Sequence, residues 1–227
     1  MNKFWLLLLM PIFLFSCIGD DIIFDTVEEQ LRLTIMADSI AVGDSFQFEA
    51  RFTNNVGQAE PERIQWTSSN EEVIIIDQNG LAMAVSSGNS TITVAATTAD
   101  NSVLSETIEV AVGSVTIVSE EVATVRQGVI QTTTFYDLSG DFTLEEVDDK
   151  LLLSIADNYL TTSALPGLYL YLTNNPNTIS GAFEIGEVTV FAGAHSYEIS
   201  GAGLNDYDYL LYFCKPFNVK VGDGKIE

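Results

Sequence analysis

Polar and apolar residues alternate along most of this chain with a period of two. Leu31-Arg32-Leu33-Thr34-Ile35 and Phe46-Gln47-Phe48-Glu49-Ala50-Arg51-Phe52 show the pattern cleanly, on either side of a turn at Val42-Gly43-Asp44. Such alternation predicts strands with one buried face. Ile64-Gln65-Trp66 predicts a further strand with Trp66 as a core anchor, broken by Thr67-Ser68-Ser69-Asn70. Val73 to Asp77 runs into Gln78-Asn79-Gly80, and the Asn-Gly pair predicts a hairpin whose return strand is Leu81 to Val85. Ser90 to Ala96 and Thr107 to Val112 complete a first set that ends at Gly113. Short strands separated by Gly and Asn turns predict a β-sandwich over residues 31–113.

The second half, residues 114–227, repeats the pattern. Candidate strands are Val115–Val118, Gly128–Thr133, Gly140–Leu144, Lys150–Ile155, Gly167–Leu172, Ala182–Val190 and Ser196–Ile199, with a strong turn cluster at Asn174-Asn175-Pro176-Asn177. The terminal stretch differs. Tyr209 to Cys214 is apolar without interruption, which predicts a strand buried on both faces, and Phe217, Val219 and Val221 then alternate with polar residues beyond a bend at Pro216. No window carries a helical period. The chain therefore reads as all-β: an immunoglobulin-like sandwich followed by a second antiparallel sandwich or barrel of roughly eight strands. The junction at Gly113-Ser114 has no Pro- or Ser-rich linker, so the domains should abut.

The first domain carries a resemblance. Ile64-Gln65-Trp66-Thr67-Ser68-Ser69-Asn70, Val73, Asp77-Gln78-Asn79-Gly80-Leu81-Ala82 and Gly88-Asn89-Ser90-Thr91-Ile92-Thr93-Val94 follow one another as in the group 2 bacterial immunoglobulin-like domain. That resemblance implies a spacer or adhesive module on a bacterial surface and fixes no ligand.

The N-terminus precedes this domain as a separate unit. Lys3 leads an apolar run from Phe4 to Phe15 that ends in Leu14-Phe15-Ser16-Cys17. The run is too short to span a bilayer, which takes about 20 residues. It resembles a bacterial lipobox, which implies a signal peptide over residues 1–16 and lipidation of Cys17. Residues 17–30 would then be an acidic tether, with Ile18 in place of an inner-membrane retention Asp. Asp20, Asp21 and Asp25 resemble the tether of surface-exported Gram-negative lipoproteins and read equally well as a solvated linker. The expected location is the outer membrane of a bacterial envelope, with the membrane reached through the lipid anchor.

Charge removes several classes of partner. Nine basic residues stand against 32 acidic ones, a formal charge of −23 that repels phosphate backbones and excludes nucleic-acid binding. With Cys17 lipidated, Cys214 is the one remaining thiol and no intramolecular disulfide can form.

The second domain carries its own resemblance. Leu138-Ser139-Gly140-Asp141-Phe142, Pro166-Gly167-Leu168-Tyr169-Leu170-Tyr171-Leu172, Gly193-Ala194-His195-Ser196-Tyr197-Glu198-Ile199 and Tyr212-Phe213-Cys214-Lys215-Pro216-Phe217-Asn218-Val219 fall in the order of the DM-thirteen electron-transfer domain. That resemblance implies a redox role for Cys214, as a free thiol or as a ligand to haem or a metal. Two positions depart from the family: Leu168 stands where an aspartate is usual, and Gly224 where an alanine is.

The residues themselves supply little chemistry. Cys214 has Lys215 as its one neighbouring cation, on the opposite face of a strand, and a buried structural cysteine without a cofactor is the plainer expectation. His195 is the single histidine, which excludes a multi-histidine metal site. It should lie exposed in a turn, although a Cys214–His195 pair would suit haem or copper. Glu145-Glu146, Asp148-Asp149 and Asp206/Asp208 read as solvated acids, and Tyr169, Tyr171, Tyr207, Tyr209 and Tyr212 as packing residues that could also stack on sugars. No hydrolase or transferase site is recognisable. Two functions remain: electron transfer through Cys214, or a non-enzymatic surface module for glycan or protein with Cys214 purely structural.

Overall fold

A computed structural model describes residues 26–118, 125–148 and 150–227, and the alternating segments form strands throughout. The signal sequence, Cys17 and most of the acidic tether lie outside the described residues, as does Asp149. The first domain contains β1 (Gln30–Ile35), β2 (Ala37–Ala41), β3 (Ser45–Gln47), β4 (Glu49–Thr53), β5 (Ile64–Ser68), β6 (Ile74–Ile76), β7 (Leu81–Ala84), β8 (Gly88–Thr97), β9 (Val103–Gly113) and β10 (Ile117–Val118). One layer is the sheet β10-β2-β9-β8-β5, in which Ile117–Val118, expected from sequence to open the second domain, instead pair with β2, and the other is made of β3-β7-β6 and the ribbon β1-β4. β1 and β2 are one extended segment that breaks at Met36 and changes layer there, pairing antiparallel with β4 and then parallel with β9. This switch ties the two layers together with one stretch of chain. Phe48, Ile74, Ile92 and Val110 fill the space between the layers, and Leu31, Phe52, Val94 and Ala96 form a second cluster. Trp66 packs against both, as its place on an alternating strand predicted.

The second domain contains β11 (Val125–Thr132), β12 (Leu138–Val147), β13 (Lys150–Ile155), β14 (Leu160–Thr161), β15 (Leu168–Thr173), β16 (Phe183–Glu187), β17 (His195–Ile199), β18 (Tyr209–Cys214) and β19 (Val219–Lys225). All belong to one antiparallel sheet in the order β16-β15-β18-β19-β11-β12-β13-β17, with β14 added to β12. The sheet curls into a nearly closed barrel around a single core that includes Leu144, Leu153, Leu170, Leu210, Tyr212 and Cys214. The short β2 and β14 carry too little periodicity to be read from sequence.

β18 is buried along both faces because each face has its own cover. Leu210, Tyr212 and Cys214 point into the barrel core, while Leu211 and Phe213 join Tyr171 in an outer cluster with Ile179 and Ala182. An ordinary barrel strand shows its outer face to water and alternates. Here the segment after β15 folds back over that face and makes the continuous apolar run a requirement. The bend after Cys214 is a tight reversal: Lys215–Phe217 form one 3-10 turn, Asn218 adopts a left-handed φ of 53°, and β19 returns antiparallel to β18.

Candidate functional site

Cys214 sits at the end of a central strand with its side chain turned inward. It is 0% exposed, and its thiol lies 3.4 Å from the carbonyl oxygen of Pro166, to which it donates. Its cross-strand neighbours are Leu168 on β15 and Val219 on β19. Leu168, at the position where the second-domain resemblance expects an aspartate, is itself buried in the same core. Both cross-strand neighbours are apolar.

The nearby cation is committed elsewhere. Lys215 points to the opposite face, as alternation predicted, where its Nζ lies 2.7 Å from Glu184 and 4.8 Å from the centroid of the Tyr169 ring. Tyr171 donates its hydroxyl to the same carboxylate at 3.1 Å. The Lys215 hydrogen bond holds the Glu184 carboxyl below its usual range, and Glu184 in turn raises Lys215. Burial, followed by the bond to Glu184, pushes the Tyr171 phenol up to about 12. This cluster ties β15, β16 and the turn after β18 together on the outside of the barrel.

His195 does not lie exposed in a turn as the sequence suggested. It opens β17, opposite Ile155, and the alternation His195-Tyr197-Ile199 turns its ring inward. The ring meets Tyr159 edge-on at 4.9 Å and Tyr197 at 5.4 Å between centroids. Its Nδ1 is 2.9 Å from the Gly193 carbonyl oxygen, and a carbonyl only accepts, so Nδ1 carries the proton. Nε2 is buried with no hydrogen-bond partner among the described residues. Tyr159 and Tyr212 pack at 6.1 Å, and neither buried hydroxyl reaches a partner in good geometry. Burial pushes Tyr159 up to about 12 and Tyr212 well above the ordinary phenol range, so neither supplies a phenolate. No hydrogen bond joins His195 to Cys214 among the described residues: the ring packs on tyrosines, and the thiol faces Pro166.

A haem or metal at Cys214 requires an open approach to sulfur. The thiol is sealed on every side by core residues, so the residues present do not fit such a group. Among the described residues no set of three or more His, Cys, Asp or Glu side chains is placed to hold a metal ion.

One acid departs from the solvated reading. Asp208 is 5% exposed and accepts a hydrogen bond from Arg32 of the first domain at 2.6 Å. Arg126, also buried, approaches the same oxygen at 3.8 Å and donates to the carbonyls of Leu204, Tyr207 and Ile226. Burial and the neighbouring Arg32 push the Arg126 pKa down while Asp208 raises it. Sequence spacing could not have found this cluster, since its members lie 176 residues apart.

The outside of the barrel offers a different surface. A concavity of about 690 Å³ opens across β11, β12, β13 and the end of β19, lined by Gln127, Gln131, Thr143 and Ser154 together with Asp141, Asp223, Lys225 and Glu227. Amides, hydroxyls and carboxylates share it with the apolar Val129, Phe142, Ile155 and Ala156, so the face is mixed. Among the described residues no helix is long and apolar enough to cross a membrane.

No curated protein matches the chain. The two-layer sandwich, with its strand that switches layers and its Trp66 anchor, agrees with the family comparison: residues 29–108 match the model described as Bacterial Ig-like domain (group 2), so the first domain is an immunoglobulin-like module of that type.

Proposed function

We propose that this protein is a non-enzymatic module of a bacterial envelope, held to the outer membrane through lipid on Cys17, in which the immunoglobulin-like domain carries a β-barrel domain that binds a surface glycan or protein. The observation that carries this reading over electron transfer is the state of Cys214. The thiol is fully buried, bonded to a backbone carbonyl and opposed by Leu168, with Lys215 turned away to Glu184. A redox thiol needs access, and a cofactor ligand needs an open coordination direction. Cys214 behaves instead as a small core hydrophobe. The concavity on the barrel's outer face, with both polar and apolar lining, is the surface offered to a partner.

The test is a titration of the full chain with a disulfide reagent, native and then denatured, together with a visible absorbance spectrum. The expected result is a colourless protein whose Cys214 reacts only after denaturation. Reaction within seconds under native conditions, or a visible band lost in Cys214→Ser, would restore the electron-transfer reading. Lipidation is read separately, by incorporation of labelled fatty acid into the wild type and its loss in Cys17→Ser.

A further inference from the structure

Two domains joined in one chain move relative to each other by default unless the interface between them is large and hydrophobic, and a polar contact holds them only where its geometry is directional and well packed. Here the contact is specific in three independent ways. The first is the use of arginine: the chain has four, Arg32, Arg51, Arg63 and Arg126, and three of them converge on residues 204–208 of the second domain. Arg126 comes from that domain and holds the loop from within by its bonds to the Leu204 and Tyr207 carbonyls, while its third bond reaches Ile226 beyond β19. Arg32 and Arg51 come from the immunoglobulin-like domain. Arg32 is aimed by Gln30, whose Oε1 accepts from Nη2 at 2.7 Å, and bonds Asp208 with its other nitrogen. Arg51 bonds Asp206 at 3.2 Å and the Asn205 carbonyl at 3.4 Å, with its guanidinium 5.8 Å from the centre of the Tyr207 ring.

The second is backbone fit. Gly57, at a left-handed φ of 80°, approaches the 174–175 backbone so closely that a Cβ there would stand 2.8 Å from the Asn174 carbonyl carbon. Asn175, 1% exposed, donates to the Val56 carbonyl at 3.3 Å across the same contact. The third is packing density: the crevice left between Arg32, Arg51, Asn174, Asn205 and Asp208 is about 10 Å³, no more than a water occupies.

We infer that loop 204–208 is a latch, and that Arg32 and Arg51 grip it so that the immunoglobulin-like domain and the barrel form one rigid body. The first domain is then a fixed mount that sets the direction in which the barrel is presented, not a loose spacer. Planar guanidinium groups suit this work because each can bond a carboxylate and a carbonyl in set directions, which lysine cannot.

Full chain in detergent, with keto amino acids at exposed Val103 of the first domain and Phe135 of the second, takes spin labels without touching cysteine. Pulsed electron resonance then reads the interdomain distance distribution. The wild type is expected to give one narrow distribution, and Arg32→Met with Arg51→Met to broaden it at least twofold while circular dichroism stays unchanged. Arg63→Met, whose side chain pairs with Glu60 and Glu29 away from the latch, should leave it narrow. A broad wild-type distribution, or a double variant as narrow as the wild type, overturns the inference. Should the double variant fold poorly, Arg32→Lys with Arg51→Lys keeps the charges and loses the fork geometry, and an unchanged narrow distribution there refutes the role given to the guanidinium groups.

Discussion

Replacing Gly224 by alanine sets two readings of the chain against each other. By resemblance, alanine is the usual residue at this position, and restoring it should be neutral or stabilising. The geometry points the other way. A Cβ on Gly224 would stand 2.8 Å from Cε1 of Phe142 and 2.9 Å from the Val129 carbonyl oxygen. Phe142 is 2% exposed, and the same Cε1–Cζ edge also fills the space beside Gly128, where a Cβ would come within 2.6 Å of Cζ, so the ring is packed tightly against both glycines. The carbonyl belongs to β11, which is fixed between β12 and β19. Overpacking of this kind costs about 1–3 kcal/mol, and the reduced freedom of the unfolded chain returns about 0.4–1 kcal/mol, so from the middle of each range Gly224→Ala should destabilise the barrel by about 1.3 kcal/mol. Sequence provides the assay. Both tryptophans, Trp5 and Trp66, precede the second domain, and all eight tyrosines lie within it. Tyrosine near-ultraviolet dichroism during guanidinium unfolding therefore reports the barrel. A midpoint equal to or above that of the wild type would refute the packing account.

Other outcomes follow from the charged groups. Arg126→Met leaves the carbonyls of Leu204, Tyr207 and Ile226 without their donor and Asp208 with one arginine fewer. It should lower barrel stability by about 3 kcal/mol or more in the same unfolding assay, and Arg126→Lys should recover only part of that. Asp100 closes the turn between β8 and β9 by accepting from Thr98 Oγ1 at 2.6 Å and from the Ser102 amide at 3.0 Å, and these bonds lower its pKa from 3.8 to about 2. Because the folded value is depressed, the stability it contributes is complete above the unfolded pKa and is lost as pH falls through about 2. Carboxyl carbon NMR should show a midpoint near 2, and a midpoint near 3.8 would mean that the turn does not hold the carboxylate.

The period of two determined most of the architecture directly. A half-buried strand cannot hide its alternation, so the strands around Phe48, Trp66, Ile92 and Leu153 were legible, and Asn79-Gly80 marked its hairpin because the turn needs the left-handed φ of 83° that Gly80 adopts. Alternation also placed Lys215 on the face away from Cys214 before any contact was known. The unbroken run Tyr209–Cys214 announced burial on both faces without saying what covers the second one. That needed the segment carrying Ile179 and Ala182 to fold back over β18. His195 looked like a turn residue because local composition cannot tell the last position of a loop from the first inward position of a strand.

Asp208 marks the limit most clearly. In the sequence it is one acid among 32, and charge alone assigns it to solvent. Its burial follows from Arg32, 176 residues away, and no local signal encodes a partner at that separation. Cys214 gives the same lesson in reverse. The sequence singled it out because of its rarity and its resemblance to a redox cysteine. A thiol's chemistry is set by its neighbours in space, and only the fold revealed that these are Leu168, Val219 and a carbonyl.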